Sequence, residues 1–181
     1  ARFETLRQEL ARSFLALASD RQSVYLGRGW RAVQGPEFVP VLRRLFETKA
    51  DDNYLNRGLP LRRLYQIAPN EGRELILAEI RRLEPRVDAK ALGILPDRTL
   101  PELDGVLASN LEQGLEQNLS GAFTRHSGLI ARYATEAILP RVKVAFEKDQ
   151  AAGWAEVVTA LLTYFLRVDP EYGLKKLRTA A

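Results

Sequence analysis

The sequence predicts an all-α protein in which antiparallel helix pairs stack on one another. Apolar residues recur at steps of three or four, as in the stripe Phe3, Leu6, Leu10, Phe14 and Leu17, and that spacing marks one face of a helix. No segment alternates apolar and polar residues with a period of two, and no Asn-Gly or Asp-Gly pair joins two strand-like segments. Landmark residues also recur about 100 positions apart, which indicates a repeat array.

Each helix is predicted from its apolar spacing and from the residues that start or end it. Ser19 with Gln22 has the pattern of a capping box that opens a second helix, and residues 27–36 form a loop because glycine and proline interrupt the pattern. Residues 51–53 start a helix that ends near Ala68, and Pro69 suits the first turn of the next one. Further helices are predicted over about 37–47, 87–95, 99–119, 121–134, 136–148, 152–168 and from 170 onward. We expect about ten helices in a single domain, with residues 1–35 as an N-terminal helical cap and residues 36–181 as the repeats.

Two stretches of the chain share landmarks in the same order. The octapeptide 40–47 aligns with 140–147 at an offset of 100, and each begins with proline and ends with Phe-Glu. Further matches are Tyr65 with Phe165, Pro69 with Pro170 and Gly72 with Gly173. Three helix pairs fit between the copies, or about 33 residues per pair, which is a normal period for helical repeats. Because one pair cannot bury its apolar face alone, neighbouring pairs must stack.

Prolines stand early in three predicted helices, at Pro40, Pro101 and Pro140, and residues 87–95 read Val-Asp-Ala-Lys-Ala-Leu-Gly-Ile-Leu. In these features the chain resembles the HEAT-repeat family of ARM/HEAT-like α-solenoids, in which an early proline kinks the first helix and Val-x-x-x-Ala-Leu-Gly-x-Leu is frequent in the second. The resemblance covers most of residues 36–181 and is closest over 85–95. It implies a right-handed α-solenoid of antiparallel pairs. Asp88 stands where the family usually has a basic residue, which bears on the ladder between repeats.

Composition excludes several kinds of site. Cysteine is absent and only one histidine is present, so neither a thiolate site nor a metal site with two imidazoles can form, and we expect no metal and no cofactor. The longest apolar stretch, residues 157–168, is shorter than the roughly 20 residues that cross a bilayer, and no membrane insertion is expected. The compartment stays open, with a cytoplasmic location favoured. Since the chain begins at Ala1 without methionine, we expect it to be part of a longer protein, and its preference for arginine is typical of a GC-rich, bacterial genome.

Arginine pairs recur every 19 residues and are the first candidate for partner binding. The pairs are Arg43 with Arg44, Arg62 with Arg63, and Arg81 with Arg82. In a stack of antiparallel helices the first and third pairs should share one edge, where they could bind an acidic partner or phosphates. Alternatively, these cations complement helix C-termini and are neutralised by nearby acids, namely Glu47, Glu74, Glu79 and Glu84.

The segment Gly27-Arg28-Gly29-Trp30-Arg31 is the second candidate. A glycine-rich loop can cradle phosphate, and an exposed Trp30 beside Arg28 would suit a binding hot spot. No strand precedes the loop, and the glycine pattern of a dinucleotide-binding turn is incomplete. The alternative is that Trp30 covers the apolar end of the first helix pair.

No catalytic constellation is predicted. His126 has Ser127 and Ser120 nearby, but an orienting acid and an oxyanion hole are not evident. Glu112 and Glu116 fall one turn apart, as paired carboxylates do, yet a solvated helix face explains them. The alkylpurine DNA glycosylases share the HEAT-like architecture, and such an enzyme needs aromatic residues and a carboxylate near the damaged base. Trp154 with Glu156 could supply them. The second half of the chain is net acidic, with 10 basic and 11 acidic residues in 91–181, which argues against this function.

The sequence therefore predicts a non-catalytic helical-repeat scaffold whose extended surface binds a protein or peptide. The alternative is nucleic-acid binding through the N-terminal half, because residues 1–90 carry 17 basic and 12 acidic groups. The candidate partner-binding residues are Arg43, Arg44, Arg81, Arg82, Arg28 and Trp30.

Overall fold

A computed structural model describes residues 2–48, 57–149 and 155–180, and these residues form twelve α helices and no β strand. The helices are α1 (Arg2–Ser13), α2 (Ser19–Leu26), α3 (Trp30–Val33), α4 (Val39–Glu47), α5 (Gly58–Ile67), α6 (Pro69–Ile80), α7 (Ala89–Leu92), α8 (Asp104–Glu116), α9 (Ser120–Tyr133), α10 (Leu139–Asp149), α11 (Ala155–Val168) and α12 (Pro170–Ala180). The all-α prediction is confirmed. The predicted start of a helix at 51–53 and the residue Trp154 lie outside the described residues.

The chain divides into two compact units, Ala1–Leu77 and Ala78–Ala181, with the boundary inside α6. None of the described helices combines the length and the apolar character that crossing a bilayer requires.

An aromatic cluster forms the core of the first unit. The rings of Phe14 and Trp30 both meet Phe38 edge to face, with centroids 5.3 and 6.0 Å away. Such edge contacts place the positive ring edge against the negative ring face. Leu42 in α4 and Leu64 in α5 are fully buried in the same cluster. The core is therefore built from helices that are adjacent in sequence.

The predicted capping box at Ser19 does not form. The residue before α2 is Ala18, and no side chain caps this end. Gln22 is instead buried, and its Nε2 donates to the carbonyl oxygens of Phe14 and Leu17 at 3.1 and 3.0 Å. The carbonyl of Phe14 also accepts from the backbone nitrogen of Leu17, so it is the carbonyl of Leu17 that depends on the glutamine for a donor.

Two helical hairpins and a final helix make up most of the second unit. α8 packs on α9 and α10 packs on α11, and across the hairpins α8 contacts α10 while α9 contacts α11. α12 then packs on α11. The large side chains between these helices are fully or almost fully buried, and they include Phe123, Tyr133, Phe146, Tyr164 and Phe165.

Three helices begin with the same kind of entry. Short 3-10 helices over Pro36–Phe38, Pro101–Leu103 and Glu136–Ile138 lead into α4, α8 and α10. The last residue of each is buried. The prolines that were expected to kink these helices stand at entry positions, where a backbone N–H has no helical partner to lose. They therefore stand where a helix starts.

The segment that most resembles a HEAT repeat forms little helix. Of the predicted span 87–95, only the four residues of α7 are helical, and Asp88 caps that helix by accepting from the N–H of Ala91 at 2.7 Å. Asp88 thus departs from the family pattern because it serves as an N-cap. The chain's helical content is shown, whereas HEAT repeats are not.

The repeated glycines mark close contacts between helices. A Cβ added to Gly72 in α6 would lie 2.4 Å from Cα of Tyr65 in α5. A Cβ added to Gly173 in α12 would lie 2.9 Å from the backbone nitrogen of Leu166 in α11. Both positions therefore need glycine because two helix backbones approach there.

Candidate partner-binding groove

The candidate residues of the first unit differ in their surroundings. Arg43 pairs with Glu71 of α6, with Nη2 2.7 Å from Oε1. Arg44 and Arg28 are exposed. Trp30 is only 3% exposed and packs in the core, as the packing interpretation expected, so its ring offers no surface to a partner.

Arg43 has a counterpart 100 residues later. Lys143 in α10 pairs with Asp169, with Nζ 2.7 Å from Oδ2, just before α12. In both copies the cation of the first helix therefore bridges to the start of the third. This shared contact is a structural use of the position that the arginine spacing alone did not indicate.

Arg63, a member of the second arginine pair, anchors the glycine-rich loop, a role that the spacing of the pairs did not indicate. Its Nε donates to the carbonyl oxygen of Leu26 at 2.7 Å, and its guanidinium lies 5.5 Å from the centroid of the Trp30 ring. Burial, and then the charge of Arg62, lower the pKa of Arg63. A cation at the C-terminal end of α2 complements the helix dipole. The loop is thus fixed to α5.

Arg81 and Arg82 follow the last turn of α6 in the second unit. Both side chains are exposed, and Arg82 Nε lies 3.9 Å from Glu79 Oε1. Their backbone carbonyls accept from Asn110 Nδ2 of α8, at 3.4 and 3.2 Å. Arg43 and Arg44 belong to the other unit. That the two pairs share one edge therefore stays a prediction.

Residues 81–88 connect α6 to α7 and are held at three points. Asn110 binds the first two carbonyls, and His126 Nε2 lies 2.9 Å from the carbonyl oxygen of Leu83. Glu79 is 2% exposed and accepts from Arg86 three times, from the backbone nitrogen at 2.8 Å, from Nε at 2.9 Å and from Nη2 at 2.6 Å. These bonds satisfy backbone groups that a helix end leaves without partners. The connection, which we call the 81–88 segment, is therefore bound to α6, α8 and α9 by hydrogen bonds.

A groove runs between the 81–88 segment and the turn that joins α8 to α9. It consists of two open depressions of about 520 and 620 Å³, and both are lined by Glu84 and Leu119. Asn118 in the turn has a positive φ of 54°, a conformation that asparagine tolerates better than most residues. The remaining lining residues are Arg82, Leu83, Pro85, Arg86, Gln117, Asn118, Ser120, Gly121, Ala122 and Arg125. We call this feature the 81–88 groove.

Positive charge predominates along the 81–88 groove. Its lining carries three arginines, Arg82, Arg86 and Arg125, against one acid, Glu84, and of the three Arg86 is paired with the buried Glu79. Arg125 forms no ion pair within the described part of the chain, and its guanidinium lies over the first turn of α9, with Nη2 3.7 Å from a Cβ built on Gly121. Leu83, Pro85 and Leu119 add apolar surface. Mixed lining of this kind suits a peptide that has both acidic and apolar side chains.

His126 and Ser127, the residues considered as a catalytic dyad, make structural contacts. His126 is fully buried and binds Leu83, and Ser127 Oγ donates to the carbonyl oxygen of Phe123 at 2.8 Å. Because a carbonyl only accepts, Nε2 of His126 carries the hydrogen. Burial is the main cause that lowers the pKa of His126; hydrogen bonding to the backbone of Leu83 and Arg82 opposes this shift, and the charge of Arg125 adds to it. The imidazole is thus held neutral.

The two candidate carboxylates, Glu112 and Glu116, do not share a contact. Glu112 of α8 accepts from Arg141 of α10, at 2.8 Å from Nε and 2.6 Å from Nη2. The hydrogen bond from Arg141 is the main cause that lowers the pKa of Glu112. Glu116 is exposed and is not part of this contact. Over the described ranges, no group of three or more residues of the metal-binding types His, Cys, Asp and Glu could hold a metal ion.

A buried polar cluster links α8 and α11 to Thr135, which lies shortly before α10. The carboxylate of Asp104 accepts from the backbone nitrogen of Thr135 at 2.9 Å and from its hydroxyl. Tyr164 Oη donates to the carbonyl oxygen of Thr135 at 2.7 Å. Burial, followed by the charge of Asp104, raises the pKa of Tyr164 to about 12. The cluster holds the residues that lead into the second hairpin. None of its three side chains lines the 81–88 groove.

No family model matches the chain, and neither a curated protein nor a solved structure was found that is similar to it. The functional argument therefore depends on the groove itself.

Proposed function

We propose that this chain is a non-catalytic helical-repeat scaffold that binds a peptide segment of another protein in the 81–88 groove. The observation that carries the proposal is a pair of open depressions that share Glu84 and Leu119, with one wall, the 81–88 segment, bound by Asn110, His126 and Glu79. A preformed wall lowers the entropy that binding costs. The excess of arginine favours a peptide that carries acidic side chains.

The arrangement of the second unit supports a solenoid. Its two hairpins lie side by side, with first helix against first helix and second against second. That is the neighbour relation of stacked repeats, which present extended binding surfaces. The recurring landmarks 100 residues apart support the same arrangement.

A peptide-display selection tests the proposal. The full chain would be immobilised and presented with a random library of dodecapeptides, and the affinities of the selected peptides would be measured. We expect selected peptides to combine acidic and apolar residues. Arg125→Glu and Leu119→Glu should each weaken their binding at least tenfold, or by about 1.4 kcal/mol, because one reverses a charge and the other removes apolar contact.

Arg98→Glu is the matched control, since Arg98 is exposed in the same unit and outside the groove. It makes the same change of charge as Arg125→Glu and should leave affinity within twofold. Equal losses in both variants would mean that only overall charge attracts the peptides. A selection without any enriched peptide would also contradict the proposal.

The nucleic-acid alternative has its own test. Exposed Arg44 and Arg81 could contact phosphates, and duplex binding would then weaken with salt at a log–log slope near −0.9 for each phosphate contacted. Fluorescence anisotropy with a labelled duplex at low and moderate salt measures that slope. A steep slope that Arg44→Glu and Arg81→Glu reduce would favour this alternative over the peptide.

A further inference from the structure

His126 connects the interior of the second unit to one wall of the 81–88 groove. Its imidazole is fully buried, and its Nε2 donates to the carbonyl oxygen of Leu83, a groove residue, at 2.9 Å. The other ring nitrogen, Nδ1, is buried and has no hydrogen-bond partner. The neutral ring therefore uses its one donor and leaves its one acceptor unused.

Protonation of this ring would place a second N–H and a positive charge in the same enclosed position. A buried donor without an acceptor and a buried charge without a counter-ion are both unfavourable. Exposing the ring to water relieves both, and the 81–88 segment is the part of its surroundings that lacks regular secondary structure. Local opening of such a connection costs less than unfolding the helices around it.

The charged groups around α9 do not offer a counter-ion that the ring uses. Arg125, one residue earlier on the same helix, opposes a further positive charge. The charged residues of the elements packed against α9 are Arg81, Arg82, Glu84, Arg86 and Asp88 on the 81–88 segment, Lys90 on α7, Asp104, Glu112 and Glu116 on α8, and Glu156 and Arg167 on α11. Of these acids, Asp88, Asp104 and Glu112 bind Ala91, Thr135 and Arg141. The buried carboxylate of Glu79, at the end of α6, is paired with Arg86.

We infer that His126 is an acid-sensitive latch, which holds the 81–88 segment against α9 when its ring is neutral and releases it when the ring is protonated. The latch regulates the groove of the proposed function, but it concerns the conformation of one wall. It can therefore be measured without a peptide. Failure of the peptide selection would leave the latch standing, and failure of the latch would leave a groove that does not respond to pH.

The experiment follows the ring and the segment separately. His126 is the one histidine of the chain, so its imidazole NMR signals report its protonation without assignment. Hydrogen exchange measured by mass spectrometry, corrected for the intrinsic pH dependence of exchange, gives the protection of residues 81–88. Between pH 7.5 and pH 5.5 we expect that protection to fall about tenfold, because a released histidine titrates near 6.5. Protection in α11 should stay unchanged.

Two variants make the test specific. In His126→Gln the amide nitrogen can donate to Leu83 in place of Nε2 but does not titrate, so protection of the segment should be retained and should not depend on pH over this range. In His126→Phe no side chain at this position can donate to the carbonyl of Leu83, and the segment should exchange rapidly at both pH values. If His126→Phe does not fold, His126→Gln alone still decides the question.

Three results would overturn the inference. The ring could titrate while the segment keeps its protection, His126→Gln could lose protection in acid as the natural chain does, or the whole second unit could lose protection together. The last result would show that protonation unfolds the unit and does not release one segment.

Discussion

Nη2 of Arg132 lies 2.8 Å from the carbonyl oxygen of Leu95, 37 residues earlier in the chain. The same separation joins Arg63 to Leu26 and Arg167 to Ile130, at 2.7 and 3.3 Å. In each case the guanidinium also lies 5.0 to 5.6 Å from an aromatic ring, that of Tyr133, Trp30 and Tyr164 respectively. An arginine that binds a backbone carbonyl 37 residues earlier and lies near an aromatic ring is thus a recurring contact of the fold.

Removing one of these arginines should destabilise the protein. Arg63→Met keeps most of the aliphatic length but leaves the carbonyl of Leu26 without its donor, which costs about 1–3 kcal/mol. Urea unfolding followed by circular dichroism measures the loss. Arg44→Met, on an exposed face of α4 in the same unit, is the control and should change stability by less than about 0.5 kcal/mol. Equal effects would mean that Arg63 contributes no specific contact.

Two glycine substitutions should have opposite effects. Gly72→Ala brings a methyl group to within 2.4 Å of Tyr65 Cα, so the helices must separate, at a cost of about 1–3 kcal/mol. Gly105→Ala, in α8, meets no atom within 4 Å and should stabilise by about 0.5–1 kcal/mol because alanine favours helix. Thermal unfolding of the two variants in parallel provides the comparison. A stabilised Gly72→Ala would show that α5 and α6 are not in close contact.

Neutralising Asp104 should weaken the entry of the second hairpin. In Asp104→Asn the amide cannot accept from both the backbone nitrogen and the hydroxyl of Thr135 with the strength of a carboxylate, and we expect a loss of about 1–3 kcal/mol. Glu102→Gln makes the same chemical change two residues earlier at an exposed position and is expected to be neutral. Chemical denaturation at neutral pH measures both variants. If Asp104→Asn leaves the free energy of unfolding unchanged, the cluster does not contribute to stability.

Alkaline pH should destabilise the second unit through Tyr164. Its pKa is raised from 10.0 to about 12, so the folded protein holds the phenol proton more tightly than the unfolded chain does. The resulting stability is fully present below pH 10 and is lost as the pH rises from 10 to 12. Tyr164→Phe lacks this proton and should show a smaller decline over that interval when melting temperature is followed against pH. Parallel declines in the two proteins would contradict the assignment.

Much of the architecture could be predicted from local patterns. The apolar spacing located nearly all the longer helices, because a helix that buries one face needs that spacing. The repeated glycines were visible as a match between Gly72 and Gly173, but their reason was not, since the close approach of two helices involves residues outside the glycine's own segment. The capping box at Ser19 was wrong for a related reason. Gln22 is used in the interior, where it donates to the carbonyl of Leu17.

The candidate site was less predictable. Arg82 was named from a doubled arginine, whereas the groove that it lines depends on a turn about 35 residues later in the chain. Arg125 and Leu119 had no local feature that distinguished them. His126 was examined as a catalytic base, and its contact with Leu83 could not be anticipated because 43 residues separate the two.

The sequence by itself determined that this protein is helical, where most helices begin and end, and which chemistries its composition excludes. These properties follow from the spacing, the caps and the residue types of each segment, and they need no knowledge of distant contacts. Tertiary structure decided which polar side chains turn inward and which line a surface, as with Trp30 in the core and Arg125 at the groove. The reason is that burial and pairing depend on how separate helices meet, and an amphipathic stripe specifies that a face is covered without specifying what covers it.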